Sequence, residues 1–520
     1  MSELKLTIES IFKGHNPAKY FSVDGGYDSS IGIDPDFSVG SGVKTSGVLV
    51  PTRFEKFTST ELTGAPLWIL TNNKNSNVYI YDSAGKFASY EKTLVTPTAL
   101  TSPTSGAGNG AEFYNNYLYL ATPTNIARYG PLDGSPAIAQ DVWTAATLGS
   151  QTALGNATYP TIRGVKIPNH PMKTHANNQL YVGDVINGKG VIHAIKTKRV
   201  SAEGDTNDGS QYNVLDLPNS WWPTCIESWG TWIAITAIQT TDADINQGEA
   251  GLFLWDTVDE VTFQKGPILL PDPLVTAVKN IGGILYIWSG NAQNGVRVSR
   301  YVGGESVQEV VYMEEGVPPF AGAVDALGNR INWGGFTTYP VASASVMAYG
   351  SKRADLPNGL HNVAKSTSAG ANQNVTALRY VQQSSNVRPK AIIGWRDDSA
   401  VGVDKLSITA TYASVWRSEM FNIGTTFTIT DIRIPFGVAL AANMSLICKI
   451  YTDDESITTT LTTINIANFP SVGRFIHFSQ PDLIKARGSN NFFIELTWGS
   501  TVELPVLLPI IITVDVNEDD

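Results

Sequence analysis

A short sequence pattern recurs along this chain: a turn containing Asn or Gly leads directly into a strand of alternating aromatic and aliphatic residues. Clear copies are NNYLYL (115–120), NNQLYV (177–182) and GGILYI (282–287), and looser copies are GAPLWIL (64–70), WGTWIAI (229–235) and GNRINW (328–333). When strands are counted from residues 68, 117, 180, 232, 284, 331 and 391, the copies lie 47 to 63 residues apart. This spacing is typical of one four-stranded blade per copy. The pattern therefore predicts a β-propeller.

The repeat also requires the blades to close into a ring. Each blade has an apolar face that it cannot bury alone, so the blades must form a ring and pack against one another. Ring closure commonly uses a strand from one terminus to complete the last blade. The segment GVLVP (47–51), which precedes the first copy, is the predicted closing strand. Because the copies are degenerate, the repeat predicts six or seven blades.

The composition agrees with an all-β chain. Among the 520 residues there are 47 Gly and 27 Pro, 10% are aromatic and only 16% are charged. Strands and turns are rich in such residues, and the sequence shows little of the 3.6-residue periodicity of helices. A chain of this length exceeds one ordinary domain, so we expect two.

Near residue 415 the pattern changes from blades to evenly spaced runs of alternating residues. These runs cover 427–434, 444–451, 456–466, 474–478, 491–498 and 504–516. Period-two alternation with turn residues between the runs predicts an antiparallel β-sandwich of about 100 residues. The predicted organisation is an N-terminal segment with the closing strand (1–60), a β-propeller (61–415) and a C-terminal β-sandwich (416–520).

Cysteine usage and hydrophobicity argue against secretion and membrane insertion. Cys225 and Cys448 lie far apart, each within an apolar strand pattern, and are predicted to be buried free thiols. The first ten residues carry three charged side chains and lack the apolar core of a signal peptide. The apolar run 502–514 contains two prolines and is shorter than the roughly 20 residues of a membrane helix. We expect no leader and no membrane span.

The charge distribution limits contact with nucleic acid. The net charge is −11, the chain ends in Glu518-Asp519-Asp520, and Lys and Arg form no cluster that could grip a phosphate backbone. Tight DNA binding is therefore not expected. An acidic surface of this kind would repel DNA electrostatically, so DNA near it would slide past without binding.

One segment has oxygen side chains at the spacing of a calcium loop. Asp242, Asp244 and Asn246 lie two residues apart, but the sixth position of this loop is Gln247 instead of Gly and the twelfth is Phe253 instead of Glu. Both a calcium site and a polar blade loop remain open at these residues. For the segment 205–209 (DTNDG), a calcium site and a polar blade loop are likewise both open.

Histidines give no further metal site. Of the six, only His170 and His175 lie in one short segment, with neither Cys nor a carboxylate at ligand spacing. A transition-metal site needs three or four converging ligands. We expect no metal and no cofactor at these residues.

Candidate catalytic residues are equally few. Glycoside hydrolysis needs two carboxylates facing each other across a sugar, and the pairs that could be nominated are Asp256 with Glu260, Glu314 with Glu315, and Asp453 with Asp454. Adjacent acids in blade turns are more often solvated. The chain contains no Gly-x-Ser-x-Gly, Gly-x-x-x-x-Gly-Lys or His-Glu-x-x-His segment, and no Ser-x-Asp-x-Gly-x-Thr-Trp repeat of sialidase-like propellers. The sequence predicts that this protein is not an enzyme.

Two kinds of surface could bind a partner. Trp221, Trp222, Trp229 and Trp232 could form a stacking platform for a glycan, although aromatic residues at strand spacing more often fill the space between blades. The polar segments 99–110 and 351–374 could be exposed contact loops or plain connectors. The sequence leaves both alternatives open.

Three segments resemble uncharacterised virion proteins of tailed bacteriophages. They are YDSSIGIDPD (27–36) and KTSGVLVP (44–51) near the N-terminus, and WRSEMF (416–421), which in those proteins similarly lies between degenerate blades and a sandwich. The resemblance implies a structural role in the virion tail, as a subunit of an adaptor, nozzle, hub or fibre-attachment layer assembled in the host cytoplasm. It also implies several copies in a ring around the tail axis, with acidic residues facing a DNA channel. It carries over no catalytic residue.

Two other function classes remain as alternatives. One is a receptor protein at the tail tip that binds or cleaves a host-surface glycan through the propeller face or the sandwich. The other is a cellular scaffold propeller, although the chain lacks the regular Trp-Asp and kelch signatures of that class. Assembly with virion components would favour the tail-structural prediction, and glycan binding or turnover would favour the receptor.

Overall fold

The structure is a computed structural model of the chain. It describes residues 2–8, 14–15, 26–34, 38–39, 43–44, 48–49, 54–57, 61–72, 74–75, 77–91, 97–104, 106–140, 142–143, 154–196, 211–239, 248–258, 265–291, 295–313, 316–327, 330–337, 344–351, 361–382, 389–406, 413–435, 445–452, 457–465, 475–479, 487–488, 490–499, 504–505 and 509–516. Within these ranges almost all regular structure is β.

Short strands occupy the described N-terminal residues. They are β1 (Ser2–Ile8), β2 (Gly14–His15), β3 (Gly26–Tyr27), β4 (Ser29–Ile31), β5 (Ile33–Asp34), β6 (Ser38–Val39), β7 (Val43–Lys44), β8 (Val48–Leu49) and β9 (Phe54–Phe57). Of these, β2 pairs with β3 in parallel and β6 pairs with β7 antiparallel.

The next strands form seven four-stranded antiparallel sheets, counted over the described residues, which are the blades of a propeller. Blade 1 is β10 (Pro66–Thr71), β11 (Asn77–Asp82), β12 (Phe87–Glu91) and β13 (Pro97–Leu100); blade 2 is β14 (Gly110–Tyr114), β15 (Tyr117–Ala121), β16 (Ile126–Gly130) and β17 (Ala137–Ala139). A hairpin of β18 (Thr161–Ile162) and β19 (Val165–Lys166) separates it from blade 3, which is β20 (Met172–Thr174), β21 (Leu180–Ile186), β22 (Lys189–Ile195) and β23 (Gln211–Asn219). Blade 4 is β24 (Trp221–Trp229), β25 (Trp232–Gln239), β26 (Glu249–Trp255) and β27 (Lys265–Leu269); blade 5 is β28 (Leu274–Ile281), β29 (Ile284–Asn291), β30 (Gly295–Tyr301) and β31 (Gln308–Met313).

A 3₁₀ turn, Ala321–Ala323, leads into blade 6. This blade is β32 (Val324–Leu327), β33 (Arg330–Thr337), β34 (Ala344–Ser351) and β35 (His361–Lys365). Blade 7 combines β36 (Asn374–Val381), β37 (Lys390–Arg396) and β38 (Val401–Leu406) with β9 from the N-terminal side. The first strands of successive blades contact one another, and β36 contacts β10, so the ring is closed. The all-β propeller prediction is confirmed, and the described sheets form seven blades.

The strand that closes the ring differs from the predicted one. Blade 7 is completed by β9, with Phe54 opposite Leu406 and Phe57 opposite Val403. Within the predicted segment 47–51, β8 instead pairs with β5 and with a C-terminal strand at Leu504–Pro505. The prediction was wrong because β9 (FEKF) carries two charged residues and resembles a buried strand less than the apolar segment 47–51 does, so only its pairing with β38 identifies it as the closing strand.

The recurring sequence pattern is the hairpin between the first and second strands of a blade. Asn115 and Asn116 have φ values of 49° and 72°, and Gly282 and Gly283 have 62° and 86°. A two-residue turn of this type needs positive φ at both positions, which explains the Asn and Gly preference. The segment 64–70 is not a copy of this hairpin. It enters the first strand of blade 1, whereas the other copies enter second strands.

The C-terminal strands form the predicted antiparallel sandwich. They are β39 (Ser414–Arg417), β40 (Phe421–Asn422), β41 (Phe427–Pro435), β42 (Ser445–Thr452), β43 (Ile457–Asn465), β44 (Phe475–Ser479), β45 (Arg487–Gly488), β46 (Asn491–Trp498), β47 (Leu504–Pro505) and β48 (Ile510–Val516). One sheet has the order β1-β48-β41-β44, with β45 also on β41, and the other has β4-β39-β46-β42-β43, with β40 also on β46. The sandwich therefore contains β1 and β4 from the N-terminal segment, outside the predicted range 416–520.

Apolar side chains fill the space between blades and between the two sandwich sheets. The sandwich core includes Trp416, Phe492 and Trp498, all buried. In the propeller, Tyr181 of blade 3 packs edge-to-face on Trp255 of blade 4, with ring centroids 5.5 Å apart. Aromatic rings between neighbouring blades bury large areas and prefer this geometry. The packing thus satisfies the apolar faces that required ring closure.

Candidate functional site: the central cavity

The first strands of the blades surround a cavity of about 270 Å³ on the axis of the propeller. Its wall combines apolar side chains with charged ones from five blades. We refer to this space as the central cavity. Ligand sites in proteins are commonly concave spaces of this kind with a few convergent polar groups.

Six of the seven blades place a charged side chain at the same register position of the first strand. These six residues form the charged ring. Each of them is followed in parentheses by its partner on the second strand of the same blade: Glu112 (Tyr119), Lys173 (Tyr181), Glu227 (Ala234), Lys279 (Tyr286), Asp325 (Asn332) and Arg379 (Ile392). The sign of the charge alternates from each blade to the next. In blade 1 the corresponding residue is Leu70, opposite Tyr79.

The uncharged residue Leu70 in blade 1 has a physical reason. Around a ring with an odd number of blades, strict alternation would force two like charges into neighbouring positions, where they repel each other. Leu70 lies between Arg379 of blade 7 and Glu112 of blade 2 in ring order. The sign of the charge therefore alternates without a break from blade 2 to blade 7, and Leu70 separates the two ends of this series.

Two neighbouring pairs in the charged ring form ion pairs. Lys173 Nζ lies 3.1 Å from Glu227 Oε1, with side chains 24% and 9% exposed. Arg379 NH1 lies 3.7 Å from Asp325 Oδ1. Burial by itself would lower the pKa of Lys173, but the carboxylates of Glu227 and Glu112 raise it by more, so this ammonium stays charged.

The other two members of the charged ring have no such partner. Among the described residues, neither Glu112 nor Lys279 has an oppositely charged group within 4.0 Å. Burial raises the pKa of Glu112, and the positive charge of Lys173 opposes this shift. Glu112 Oε1 accepts only a backbone hydrogen bond, from Phe113 N at 3.2 Å.

The opposite end of the central cavity is closed by the β18–β19 hairpin. Ile162 and Val165 of this hairpin are buried in the cluster that contains Leu67 and Cys225. Its position is held by the Arg396 guanidinium, which donates to the carbonyl oxygen of Arg163 at 2.6 Å. The cavity therefore has a charged end and an apolar, closed end.

Bulges in the first strands add hydroxyl groups near the closed end. In blades 4, 5 and 7 the register shifts around Thr224, Thr276 and Thr376. Thr224 Oγ1 donates to Thr236 O at 3.2 Å, and Thr376 Oγ1 donates to Pro66 O at 2.6 Å. Thr276 also lines the cavity and is 2% exposed, but its Oγ1 has no hydrogen-bond partner among the described residues.

Buried carboxylates outside the cavity hold loops together. Asp82 accepts hydrogen bonds from the backbone N–H groups of Thr63, Gly64, Ala84 and Lys86. Asp397 likewise accepts from the backbone of 370, 399 and 400 and from two serine hydroxyls. Carboxylates saturated in this way are structural, because their lone pairs are already used.

His170 and His193 lie beside the fully buried Asp184. His193 Nε2 lies 3.0 Å from Asp184 Oδ2, and its Nδ1 accepts from Asn213 N at 3.0 Å, so Nε2 carries the proton and donates it to the carboxylate. His170 Nδ1 is 3.5 Å from Asp184 Oδ1, and backbone carbonyl oxygens lie near both ring nitrogens. No group of three or more His, Cys, Asp or Glu in the described ranges is arranged to hold a metal.

Most of the other sequence candidates lie outside the part of the chain that the structure describes. Asp242, Asp244 and Asn246 lie outside the described residues, as do 205–209, Glu260, Glu314, Glu315, Asp453 and Asp454. Asp256 Oδ1 accepts the backbone N–H of Val258 at 2.9 Å, as turn carboxylates commonly do. Each nominated acid pair has at least one member outside the described residues, so these pairs stay predictions.

The four tryptophans do not form one platform. Trp221 and Trp229 lie at opposite ends of β24, about 26 Å apart at ~3.3 Å per strand residue. Trp221 packs on Phe253 with ring centroids 5.3 Å apart, and Trp229 donates to Gly283 O and packs on Tyr301. These rings fill spaces within and between blades, which is the second of the two roles left open by the sequence.

The polar segments 99–110 and 351–374 also contain buried parts. Ser366 and Ser368 are fully buried, and Ser368 Oγ donates to Asp397 at 2.8 Å. Asn109 is likewise buried. Residues 352–360 lie outside the described ranges. In their described parts, both segments connect blades through buried hydrogen bonds.

Both cysteines are buried free thiols, Cys225 on the cavity wall and Cys448 in the sandwich core. Burial raises the pKa of Cys225 to about 11 and that of Cys448 further. Protonated thiols of this kind behave as small apolar groups.

The charged ring has a local signal in the sequence, although it lies outside the aromatic pattern that identifies the repeat. Glu112, Glu227, Lys279 and Asp325 each lie three residues before the Asn or Gly that begins the turn of the repeat. The copies of the repeat are recognised by their aromatic second strands. The alternation of charge becomes visible only when the first strands that precede them are compared.

Comparison with known proteins gives similarity at the level of fold. No family model matches the chain, and no curated protein matches it. It is similar to the computationally designed Ika8 protein, at 14% identity over 65% of this chain and 99% of that chain, with a TM-score of 0.34. It is also similar to the Pan2 WD40 domain of Neurospora crassa (11% identity, 69% and 95% covered, TM-score 0.40) and to the AfRom2 CNH domain (8%, 68% and 99%, 0.39). The description of the propeller accordingly rests on the seven sheets of this chain.

The described residues contain no helix with the length and hydrophobicity needed to cross a bilayer.

Proposed function

We propose that the chain is a non-catalytic structural component of a bacteriophage virion tail, in an adaptor, nozzle, hub or fibre-attachment layer, and that it acts by assembling with copies of itself and with other tail proteins. One observation carries most weight for this proposal. Two of the segments that resemble phage virion proteins, 27–36 and 416–421, lie side by side although they are far apart in sequence. A shared sequence signature is more informative when its parts form one structural unit.

The contact between these segments is specific. Strand β4 pairs with β39, with Ser29 opposite Arg417 and Ile31 opposite Val415. Arg417 Nε lies 3.5 Å from Asp28 Oδ2, and Asp28 N donates to Arg417 O at 3.1 Å. The first segment thus anchors the N-terminal strands to the sandwich at the WRSEMF segment.

The same arginine is enclosed by aromatic rings. Its guanidinium carbon lies 4.1 Å from the ring centroid of Phe493 and 4.9 Å from that of Tyr451. Cation–π contacts of this kind hold a buried guanidinium in one orientation. Such a contact inside the sandwich suits a domain that must keep its shape under load in an assembly.

The propeller itself is suited to be a rigid block. Its axis is closed by the β18–β19 hairpin, and the buried carboxylates of Asp82 and Asp397 hold loops in place. DNA would therefore pass between subunits of an assembly instead of through the centre of one propeller. Subunits of net charge −11 would present a wall that repels DNA and lets it slide.

The proposal is tested by measuring assembly. Light scattering of the purified chain, alone and mixed with other virion components, should give rings or complexes of fixed stoichiometry that can be imaged. A stable monomer that ignores virion components and binds a host glycan on an array would contradict the proposal and favour the receptor alternative. Turnover of that glycan, measured as released reducing sugar, would contradict the non-catalytic assignment.

Variants can show which domain forms the contacts. Val302, 55% exposed, lies beyond β30 of the propeller, whereas Leu4, 39% exposed, lies on β1 of the sandwich. Val302→Asp should weaken assembly if the propeller docks, and Leu4→Asp if the sandwich docks, because a charge in a buried interface is costly. Unchanged thermal stability of each monomer is the control for folding.

A further inference from the structure

The charged ring leaves one negative and one positive group without an ion-pair partner among the described residues, and these two lie on opposite sides of the central cavity. Glu112 belongs to blade 2 and Lys279 to blade 5, three blades apart, which is the largest separation in a ring of seven. Both side chains line the cavity. The charge of Lys279 is among those that lower the pKa of Glu112, so the two interact across the space.

A partly buried charge without an ion-pair partner is costly, because it has lost water and gained no counter-charge at contact distance. The remaining members of the ring are already paired, Lys173 with Glu227 and Arg379 with Asp325. A cation alone would satisfy Glu112 and leave Lys279, and an anion alone would do the reverse. A molecule that carries one charge of each sign satisfies both and leaves the net charge of the cavity unchanged.

The interior below the ring fits the uncharged part of such a molecule. Its wall includes Val278, Phe320 and Ile167, and Thr276 Oγ1 is a buried hydroxyl with no partner among the described residues. One water molecule needs only about 10–15 Å³ of cavity. A space of about 270 Å³ therefore has room for a short aliphatic chain.

We propose that the central cavity is a binding site for a small zwitterion whose ammonium and carboxylate groups are separated by an aliphatic chain. The ammonium binds Glu112, the carboxylate binds Lys279, and the methylene groups contact the apolar wall near Thr276. Binding at this site is independent of any role of the chain in a virion.

The first test uses the full chain and a series of ω-amino acids from glycine to 6-aminohexanoate, titrated by isothermal calorimetry. Affinity should rise with chain length until the charges span the cavity. Hexanoate and hexylammonium each offer one charge and should bind at least about tenfold more weakly than the best zwitterion, since a charged hydrogen bond is lost. No saturable binding up to about 10 mM, a range that detects a Kd near 1 mM, would overturn the proposal.

The second test uses near-isosteric variants. Glu112→Gln should reduce zwitterion affinity by about tenfold or more while leaving hexanoate binding in place, and Lys279→Gln should do the same while leaving hexylammonium binding in place. Glu249→Gln and Lys86→Gln remove exposed charges elsewhere and serve as matched controls. Equal zwitterion binding by the cavity variants and the controls would overturn the assignment of the site. Because the analogue series is measured on the unmodified chain, it decides the proposal even if a cavity variant fails to fold.

Discussion

Replacing Asp28 by Asn should destabilise the sandwich, because it removes the carboxylate that faces a buried guanidinium. The Arg417 side chain is 2% exposed and Asp28 is 20% exposed, with 3.5 Å between Nε and Oδ2. The Asn side chain has nearly the same volume, so packing against Tyr27 and Ser29 should persist. The change isolates the charge of one residue.

The magnitude follows from the burial of both partners. Breaking a buried ion pair by removing one partner costs about 3–5 kcal/mol. Asp28 keeps some exposure and the contact is long, so we expect a smaller cost than this range, about 2–3 kcal/mol. The rings of Phe493 and Tyr451 remain against Arg417 in the variant, and a desolvated cation–π contact is worth about 2 kcal/mol. These contacts are present before and after the change, so they do not replace the lost carboxylate.

Differential scanning calorimetry of the whole chain is the assay. One kcal/mol shifts Tm by about 4–8 °C for a domain of 60–100 residues and by about 2–4 °C for one of 150–250 residues, so the sandwich transition should fall by at least about 4 °C. The control is Arg433→Gln, which removes the 56% exposed partner of Asp431. Exposed pairs contribute about 0–1 kcal/mol, so this variant should behave almost like the unmodified chain.

The result that refutes this reasoning is a loss below about 0.5 kcal/mol for Asp28→Asn, the same as expected for the exposed pair. The guanidinium would then be stabilised by its aromatic surroundings and by hydrogen bonds alone. A loss in the propeller transition instead of the sandwich transition would also contradict it.

Three further outcomes are expected. Burial by itself would raise the pKa of Asp184, but its neighbours, above all the hydrogen bond from His193, lower it by more. Its stabilising contribution is therefore present above about pH 4 and lost as pH falls through the folded-state pKa. Asp184→Asn should flatten this acid-side loss in urea titrations at stepwise pH. Glu227→Gln should cost about 2 kcal/mol by leaving Lys173 without its closest counter-charge, and adding Lys173→Met should restore part of that loss in the same unfolding assay. Thr376→Val should cost about 1–3 kcal/mol, because the buried carbonyl of Pro66 loses its hydrogen bond between blades 7 and 1; an unchanged midpoint in guanidinium unfolding would contradict this role.

Local features of the fold were predictable because they depend on residues close in sequence. Asn115-Asn116 and Gly282-Gly283 adopt positive φ, and the strands that follow alternate as expected. The sandwich strands after residue 415 were also predicted from alternation. Turn chemistry and period-two patterning act over a few residues and need no knowledge of the fold.

The candidate site was less predictable, because its members meet only in the closed ring. Glu112 and Lys279 belong to different blades, and nothing near either residue shows that the two face each other. The alternating signs could have been read from the sequence once the copies were aligned. Which members pair, and which remain without a partner, depends on side-chain positions across the cavity.

By itself, the sequence determined the class of this protein: an all-β chain of repeated blades followed by a sandwich, with turns at Asn and Gly. The tertiary structure decided that β9 instead of 47–51 closes the ring, that β1 and β4 belong to the sandwich, and that Asp28 meets Arg417. The physical reason is the range of the interactions. Strand formation and turns depend on neighbouring residues, whereas strand partners, buried ion pairs and cavities are selected by the packing of the whole chain against competing pairings.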